Sequence, residues 1–323
     1  MSLQTSPQTV TSPVVPGAPA HFVGALEASR LVERYQQDFG LDVAEYFHGL
    51  SQVDIYACAR TGYRFYHPFT LAGCEDLYAQ LASRFSWYYT DRPEHAIAER
   101  YLRPSDRVLE IGCGAGFFLR RLAARRIAAV GLDLNRAAVA QCRAEGLDAR
   151  LETIETHAAA HPQAYDAVCT FHVLEHVVDV HAFLTAAIAC LRPGGRLIIA
   201  VPNSAPGVYG ADPYYAPNTP PHHMGLWEPA SLRALTRYFP LKVKAVQGIP
   251  LEASAWWQYP KWEHYLNFSV QHHPVLLRKR NWLLWNLQRR YVGTLFGCFV
   301  EALMLATGPY RELVVIFRRC AAD

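Results

Sequence analysis

Three glycines at alternating positions, Gly112, Gly114 and Gly116, follow a short apolar run that ends in Glu110 and Ile111. Glycine has no Cβ and tolerates positive φ, so a ligand can lie directly against the backbone of such a turn. The N–H groups that open the next helix add donors and a partial positive charge. Glu110 places a carboxylate beside the same turn. Asp133 ends the next apolar run, 23 residues after Glu110, where it can accept hydrogen bonds from a pair of ligand hydroxyls. Histidines form a second set: His172 and His176, then His222 and His223 in Pro-Pro-His-His-Met-Gly-Leu-Trp. An imidazole titrates near neutral pH, which suits it to taking a proton from a hydroxyl.

Strands and helices must bring these groups together. Apolar runs predict strands at 107–111, 128–132, 149–151, 167–171, 196–201, 241–246 and 312–317. Helical spacing predicts helices at 116–125, 136–145, 181–191 and 229–238. Such alternation implies a parallel sheet covered by helices, with the ligand crevice at the carboxyl ends of the strands. Glu110, Asp133 and His172 each fall at a strand end and should therefore meet along one edge.

The flanks differ from this block. Residues 1–20, rich in Ser, Thr, Pro and Gln, read as a disordered tail. An aromatic-rich cap, 21–101, contains a hairpin at 53–68 with Thr61-Gly62 at its turn, a helix at 75–89 and a short helix at 96–102. The block itself spans 102–250. A tryptophan-rich insertion, 251–308, and a final segment, 309–323, complete the chain. Within the insertion, Arg278-Lys279-Arg280 and Arg289-Arg290 flank apolar stretches. That pattern could dock peripherally on an anionic membrane through 278–308. The apolar run 291–308 carries Glu301 and is short for a span, so a packed helix, a lid or a homodimer surface is expected instead.

Composition narrows the class. Half the chain is hydrophobic (51%) and 18% is charged, enough to build a substantial core. A net charge of +3 over 323 residues gives no nucleic-acid footprint. The eight cysteines include no C-x-x-C pair, and the first residues lack a basic then apolar leader. A reducing cytoplasm is the compartment expected from this.

The central block resembles the class I S-adenosylmethionine-dependent methyltransferases. The resemblance rests on Val-Leu-Glu-Ile-Gly-Cys-Gly-Ala-Gly-Phe at 108–117, Val-Gly-Leu-Asp at 130–133, Tyr-Asp-Ala-Val-Cys-Thr-Phe-His-Val-Leu-Glu-His-Val at 165–177 and Leu-Arg-Pro-Gly-Gly-Arg-Leu at 191–197. Four motifs in order are far more specific than one. A nicotinamide-type fold would carry G-x-G-x-x-G, whereas bulky Phe117 follows the third glycine here. The resemblance implies a Rossmann-like three-layer α/β sandwich. Its seven-stranded sheet would be mostly parallel with an antiparallel last strand, carrying an N-terminal cap and a C-terminal helical insertion.

It also implies site roles. S-adenosyl-L-methionine would be held by Glu110, Gly112, Gly114, Gly116, Asp133, Leu134, Glu152, Thr153 and Phe171. His172, facing the reactive methyl, is the first candidate base, and His223 is the second. Some quinone-precursor O-methyltransferases carry Glu-x-x-Glu-His where this chain has His172-Val-Leu-Glu175-His176 and use it for a divalent metal. His172 replaces the first Glu, and His, Glu and His could still ligate a metal; a polar helix start after the strand, with no metal, is the reading expected here. The strand-end Phe-His-Val-Leu lacks the Asn/Asp-Pro-Pro-Tyr/Phe of nucleic-acid amino-methylating enzymes. An oxygen on a small-molecule, glycan or lipid-linked acceptor is therefore favoured. A non-catalytic nucleotide-binding scaffold is the alternative.

Overall fold

The computed structural model describes residues 10–86, 88–205, 212–250 and 310–320. The chain enters through β1 (Ala20–Glu27) and α1 (Ala28–Phe39), then forms the hairpin β2 (Gln52–Cys58) and β3 (Arg64–His67). Two helices, α2 (Glu75–Arg84) and α3 (Pro93–Glu99), lead into the central block. There β4 (Arg107–Ile111), α4 (Phe117–Ala124), β5 (Ala128–Asp133), α5 (Arg136–Ala144), β6 (Ala149–Leu151), α6 (Ile154–Ala160), β7 (Tyr165–Phe171), α7 (Val180–Cys190) and β8 (Leu191–Pro202) alternate. After β9 (Gly225–Leu226), α8 (Pro229–Ala234) and β10 (Leu241–Pro250), the chain returns as β11 (Tyr310–Arg319).

One sheet has the order β10-β11-β8-β7-β4-β5-β6. Its β4–β5, β4–β7, β5–β6 and β7–β8 pairs are parallel, and β11 runs antiparallel between β8 and β10. This is the seven-stranded architecture the motifs implied. Strand alternation sorts its core. Leu197, Ile199 and Val201 of β8 join Phe183, Leu184 and Ala187 of α7 on one face. Ile198 and Ala200 join Phe118 and Leu122 of α4 on the other. Helix starts are capped locally: Asn135 accepts the Ala137 and Ala138 N–H groups, and Asp179 accepts that of Ala182.

A second sheet, β1-β2-β3-β9, is antiparallel and belongs to the N-terminal region apart from β9. Its core gathers Leu31 and Tyr35 of α1 with Val53, Ile55, Tyr66 and Met224. It meets the main core where the Tyr63 ring lies 4.1 Å from that of Trp227.

Several expectations need correction. The helix expected over 75–89 stops at Arg84, which frees Tyr88 and Tyr89 to turn toward the sheet edge. Pro193-Gly194-Gly195, which follows the helix expected over 181–191, lies within β8, where the β7–β8 register shifts between Tyr165 and Ala167. The elements β1, α1 and α6 were not among those expected, although α1 buries Ala28, Leu31 and Tyr35 at helical spacing. The tail expected over 1–20 is ordered from residue 10: Val14 is fully buried, Pro13 O accepts the His181 N–H at 2.8 Å, and Thr11 bridges Pro19. Residues 1–9 and the 251–308 insertion, with its lid, dimer and membrane-docking expectations, lie outside the described residues. Among the described residues no helix is long and apolar enough to cross a membrane.

Buried Val14 gives a direct test. Val14→Ala should lower unfolding stability by roughly 2 kcal/mol in a denaturant titration, since it removes about two buried methylene equivalents. A free tail would give no change.

Candidate active site

The glycine turn sits where β4 ends, between β5 and β7. Gly112, Gly114 and Gly116 have φ of +77°, +49° and +78°, conformations that side-chain-bearing residues rarely adopt. Close protein packing adds a second reason for glycine. A Cβ on Gly112 would lie 2.2 Å from Val173 Cγ2, one on Gly114 would lie 2.6 Å from the Tyr89 ring, and one on Gly116 would lie 2.8 Å from Cys142 Sγ.

Asp133 ties the turn to β5. Its Oδ2 accepts the Gly114 N–H and its Oδ1 the Asn135 N–H, both at 2.7 Å. The helix cap is Asn135, so the Asp133 carboxylate stays at the strand end with lone pairs left for a ligand. Leu134, next to it, is an apolar side chain left 60% exposed, as a surface awaiting a flat ligand would be. Tyr89, which sequence reasoning placed in a helix, covers Gly114 and has its hydroxyl 3.3 Å from Asn135 Nδ2. Burial, reinforced by the Asp133 charge, pushes that phenol up to about 12.

Glu110 lies at the centre. It is 3% exposed, and its Oε2 is buried without a hydrogen-bond partner. Burial first, then the nearby Asp133 and Cys142, pushes this carboxyl well above its ordinary range. An orphaned buried acceptor at a donor-rich turn is what a cationic group such as an amino-acid ammonium would complete. The residues present therefore fit the methionine portion of S-adenosylmethionine, with Asp133 and Leu134 beside them for the nucleoside.

Three residues expected to contact the cofactor also have partners within the fold. Glu152 accepts the His157 Nδ1–H at 2.6 Å, and the other ring nitrogen of His157 lies 2.8 Å from the Tyr165 hydroxyl. Thr153 caps α6, its Oγ1 accepting the Thr156 N–H. Phe171 is only 7% exposed, packed edge-on against Phe118 and His95, each with ring centroids 4.9 Å away.

His172 also departs from expectation. It has φ +55°, which turns its ring among carboxylates from three parts of the chain. Its Nε2 lies 3.2 Å from Glu94 Oε1, and its Nδ1 lies 3.5 Å from Glu175 Oε1 and 3.9 Å from Glu312 Oε2. Burial alone would depress its pKa, but the charge of Glu312 and the contacts with Glu175 and Glu94 push it up to about 10. The ring is an imidazolium at neutral pH and cannot accept a proton. Glu94 and Glu312 carry no motif signal, and only the folded chain makes them neighbours.

The remaining histidines gather nearby. His223 stacks on His222 at 4.5 Å, and His176 lies 4.7 Å from each ring. The loop holding His222 and His223 is anchored twice. Buried Tyr35 accepts the His222 N–H and lies 2.7 Å from Thr219 O. Glu175 O accepts the Met224 and Gly225 N–H groups, each at 2.8 Å. Burial, with repulsion from the neighbouring imidazoles, pushes His222 and His223 well below the ordinary range, and burial also lowers His176. All three rings are neutral at pH 7.

A family model described as a methyltransferase domain matches residues 82–281. The chain is 31% identical over 202 residues to the ubiquinone biosynthesis O-methyltransferase of Xanthomonas campestris pv. campestris strain B100, a match covering 55% of this chain and 83% of that protein. The protein of the same name from Xanthomonas oryzae pv. oryzae strain PXO99A matches with the same identity and coverage. Among solved structures, the 1,6-didemethyltoxoflavin-N1-methyltransferase of Burkholderia thailandensis covers 83% of this chain and 96% of its own, at 16% identity and a TM-score of 0.48.

Two measurements follow. Gly112→Ala should cost at least about tenfold in S-adenosylhomocysteine affinity by calorimetry, near 1.4 kcal/mol. Adding Val173→Ala should recover only part of it, because positive φ remains; unchanged affinity in the single variant would refute the turn's role. His172 gains a raised pKa on folding, so its stabilisation is complete below pH 6.5 and is lost as pH rises through about 10. His172→Gln should therefore destabilise by roughly 3 kcal/mol near pH 6, and the gap to wild type should close toward pH 10 in denaturant titrations.

Proposed function

This chain belongs to the class I S-adenosylmethionine-dependent methyltransferases, and on that premise we propose that it methylates an oxygen of a small-molecule or lipid-linked acceptor. The observation that carries the reading is the cluster of His176, His222 and His223, joined to the cofactor turn through Tyr88, 3.4 Å from His222 Nε2, and its neighbour Tyr89, which covers Gly114. It is supported by the relatives named ubiquinone biosynthesis O-methyltransferases. Bound S-adenosylmethionine supplies a sulfonium-activated methyl group. The protein has to align the acceptor oxygen in line with that carbon and take its proton.

Glu110 receives the cofactor's ammonium, and Asp133 receives its ribose hydroxyls. With His172 held as an imidazolium, the base role passes to His223, neutral and 6% exposed. A depressed imidazole is a weak base, which matches an acidic, phenol-like hydroxyl better than a glycan alcohol. Specificity is assigned to the flanks, 21–101 and 251–308. The matched relatives cover 55% of this chain, so much of those flanks has no counterpart in them.

Calorimetry with S-adenosylhomocysteine and methyl-transfer assays on phenolic acceptors test this reading. Asp133→Ala and Glu110→Gln should each weaken cofactor binding at least about tenfold. His223→Gln should lower kcat by about 10²-fold or more while leaving KM near wild type. Because a base must be unprotonated, wild-type kcat should be flat at pH 7–8 and fall only below pH 6.5. A kcat unchanged in His223→Gln would remove His223 from the reaction.

A further inference from the structure

We propose that His176, His222 and His223 together form a binding site for a divalent transition metal of the zinc class. One ligand nitrogen from each ring lies within 4.8 Å of the others. The hydrogen bonds around the rings prepare them. His176 Nδ1 lies 2.6 Å from His222 O, and His222 Nδ1 lies 3.1 Å from Pro217 O. A carbonyl can only accept, so both Nδ1 atoms carry the proton and both Nε2 atoms keep a lone pair, that of His222 facing the Tyr88 hydroxyl at 3.4 Å, which a metal would displace. A backbone carbonyl behind the imidazole is the usual support for a metal-bound histidine, because it fixes both tautomer and ring orientation.

Charge compensation is also present. Glu175 is 1% exposed, and its Oε1 lies 3.5 Å from His172 Nδ1 and 3.9 Å from His223 Nε2, so the carboxylate is shared between the charged ring and the cluster. A buried anion beside three neutral donors offsets the cost of bringing in a dication. Metal–nitrogen bonds of about 2.0–2.1 Å put tetrahedral ligands roughly 3.3 Å apart, so binding must draw the rings together by about 1–1.5 Å. This set differs from the His172-Glu175-His176 triplet legible in the sequence. His172 turns instead toward Glu94 and Glu312 and keeps its proton.

A consequence rests on the reading of His223 as the base. A lone pair spent on a metal cannot take a proton, so metal at this site suppresses methyl transfer and chelation restores it.

The test uses the full-length, tag-free chain stripped with a chelator. Titration with Co2+ should give saturable visible absorption at one ion per chain, displaced by Zn2+, with Zn2+ shifting the imidazole NMR signals of these three rings. His222→Ala and His223→Ala should each weaken Co2+ binding at least tenfold, while His161→Ala, bonded elsewhere to Arg150, should not. The wild-type titration and NMR shifts do not depend on any variant folding. No saturable binding, or binding that leaves these rings and variants unaffected, overturns the site. Binding that lowers turnover supports both the site and the base; binding without any loss of turnover supports the site and overturns the base assignment.

Discussion

One imidazolium surrounded by carboxylates holds the site together. His172, bent into positive φ at the end of β7, reaches Glu94 on α3, Glu175 three residues on and Glu312 on β11. These groups come from the cap region, the sheet centre and the last strand. Opposite charge at 3–4 Å inside a protein is stronger than in water, and any member left unpaired would be costly. The knot fixes how the cap, the strand-end loop and the returning β11 meet, and so fixes where an acceptor can stand.

The same segment also reaches the neighbouring histidines, through both its backbone and its charge. The Glu175 carbonyl holds the Met224 and Gly225 amides, while its carboxylate faces His172 and His223. One residue thus positions both the charged ring and the neutral cluster. The result is a division of protonation states a few ångströms apart: His172 pushed up by carboxylates, and His222 and His223 pushed down by burial and by one another. Residues of the same type acquire opposite roles from their surroundings.

The candidate cofactor residues could be proposed from the sequence because they are local. Glu110, the three glycines and Asp133 lie at the ends of two adjacent parallel strands, so strand order alone brings them together. Even there a second reason for glycine came only with the fold, since Val173, Tyr89 and Cys142 lie where a Cβ at these positions would point. The partners of Glu152, Thr153 and Phe171 within the fold were not legible, because position after a strand does not reveal whether a side chain caps a helix, clasps a histidine or enters the core.

The sequence by itself determined the alternating block, its mostly parallel sheet, the cofactor turn and the family, because each depends on short-range periodicity and on residues a few positions apart. Only the tertiary structure decided which histidine keeps its proton and which three stand together. Glu94, His172 and Glu312 are separated by 78 and 140 positions, and His176 by 46 from His222. An imidazole's protonation follows the charges and burial around it, and those neighbours exist only once the chain has folded.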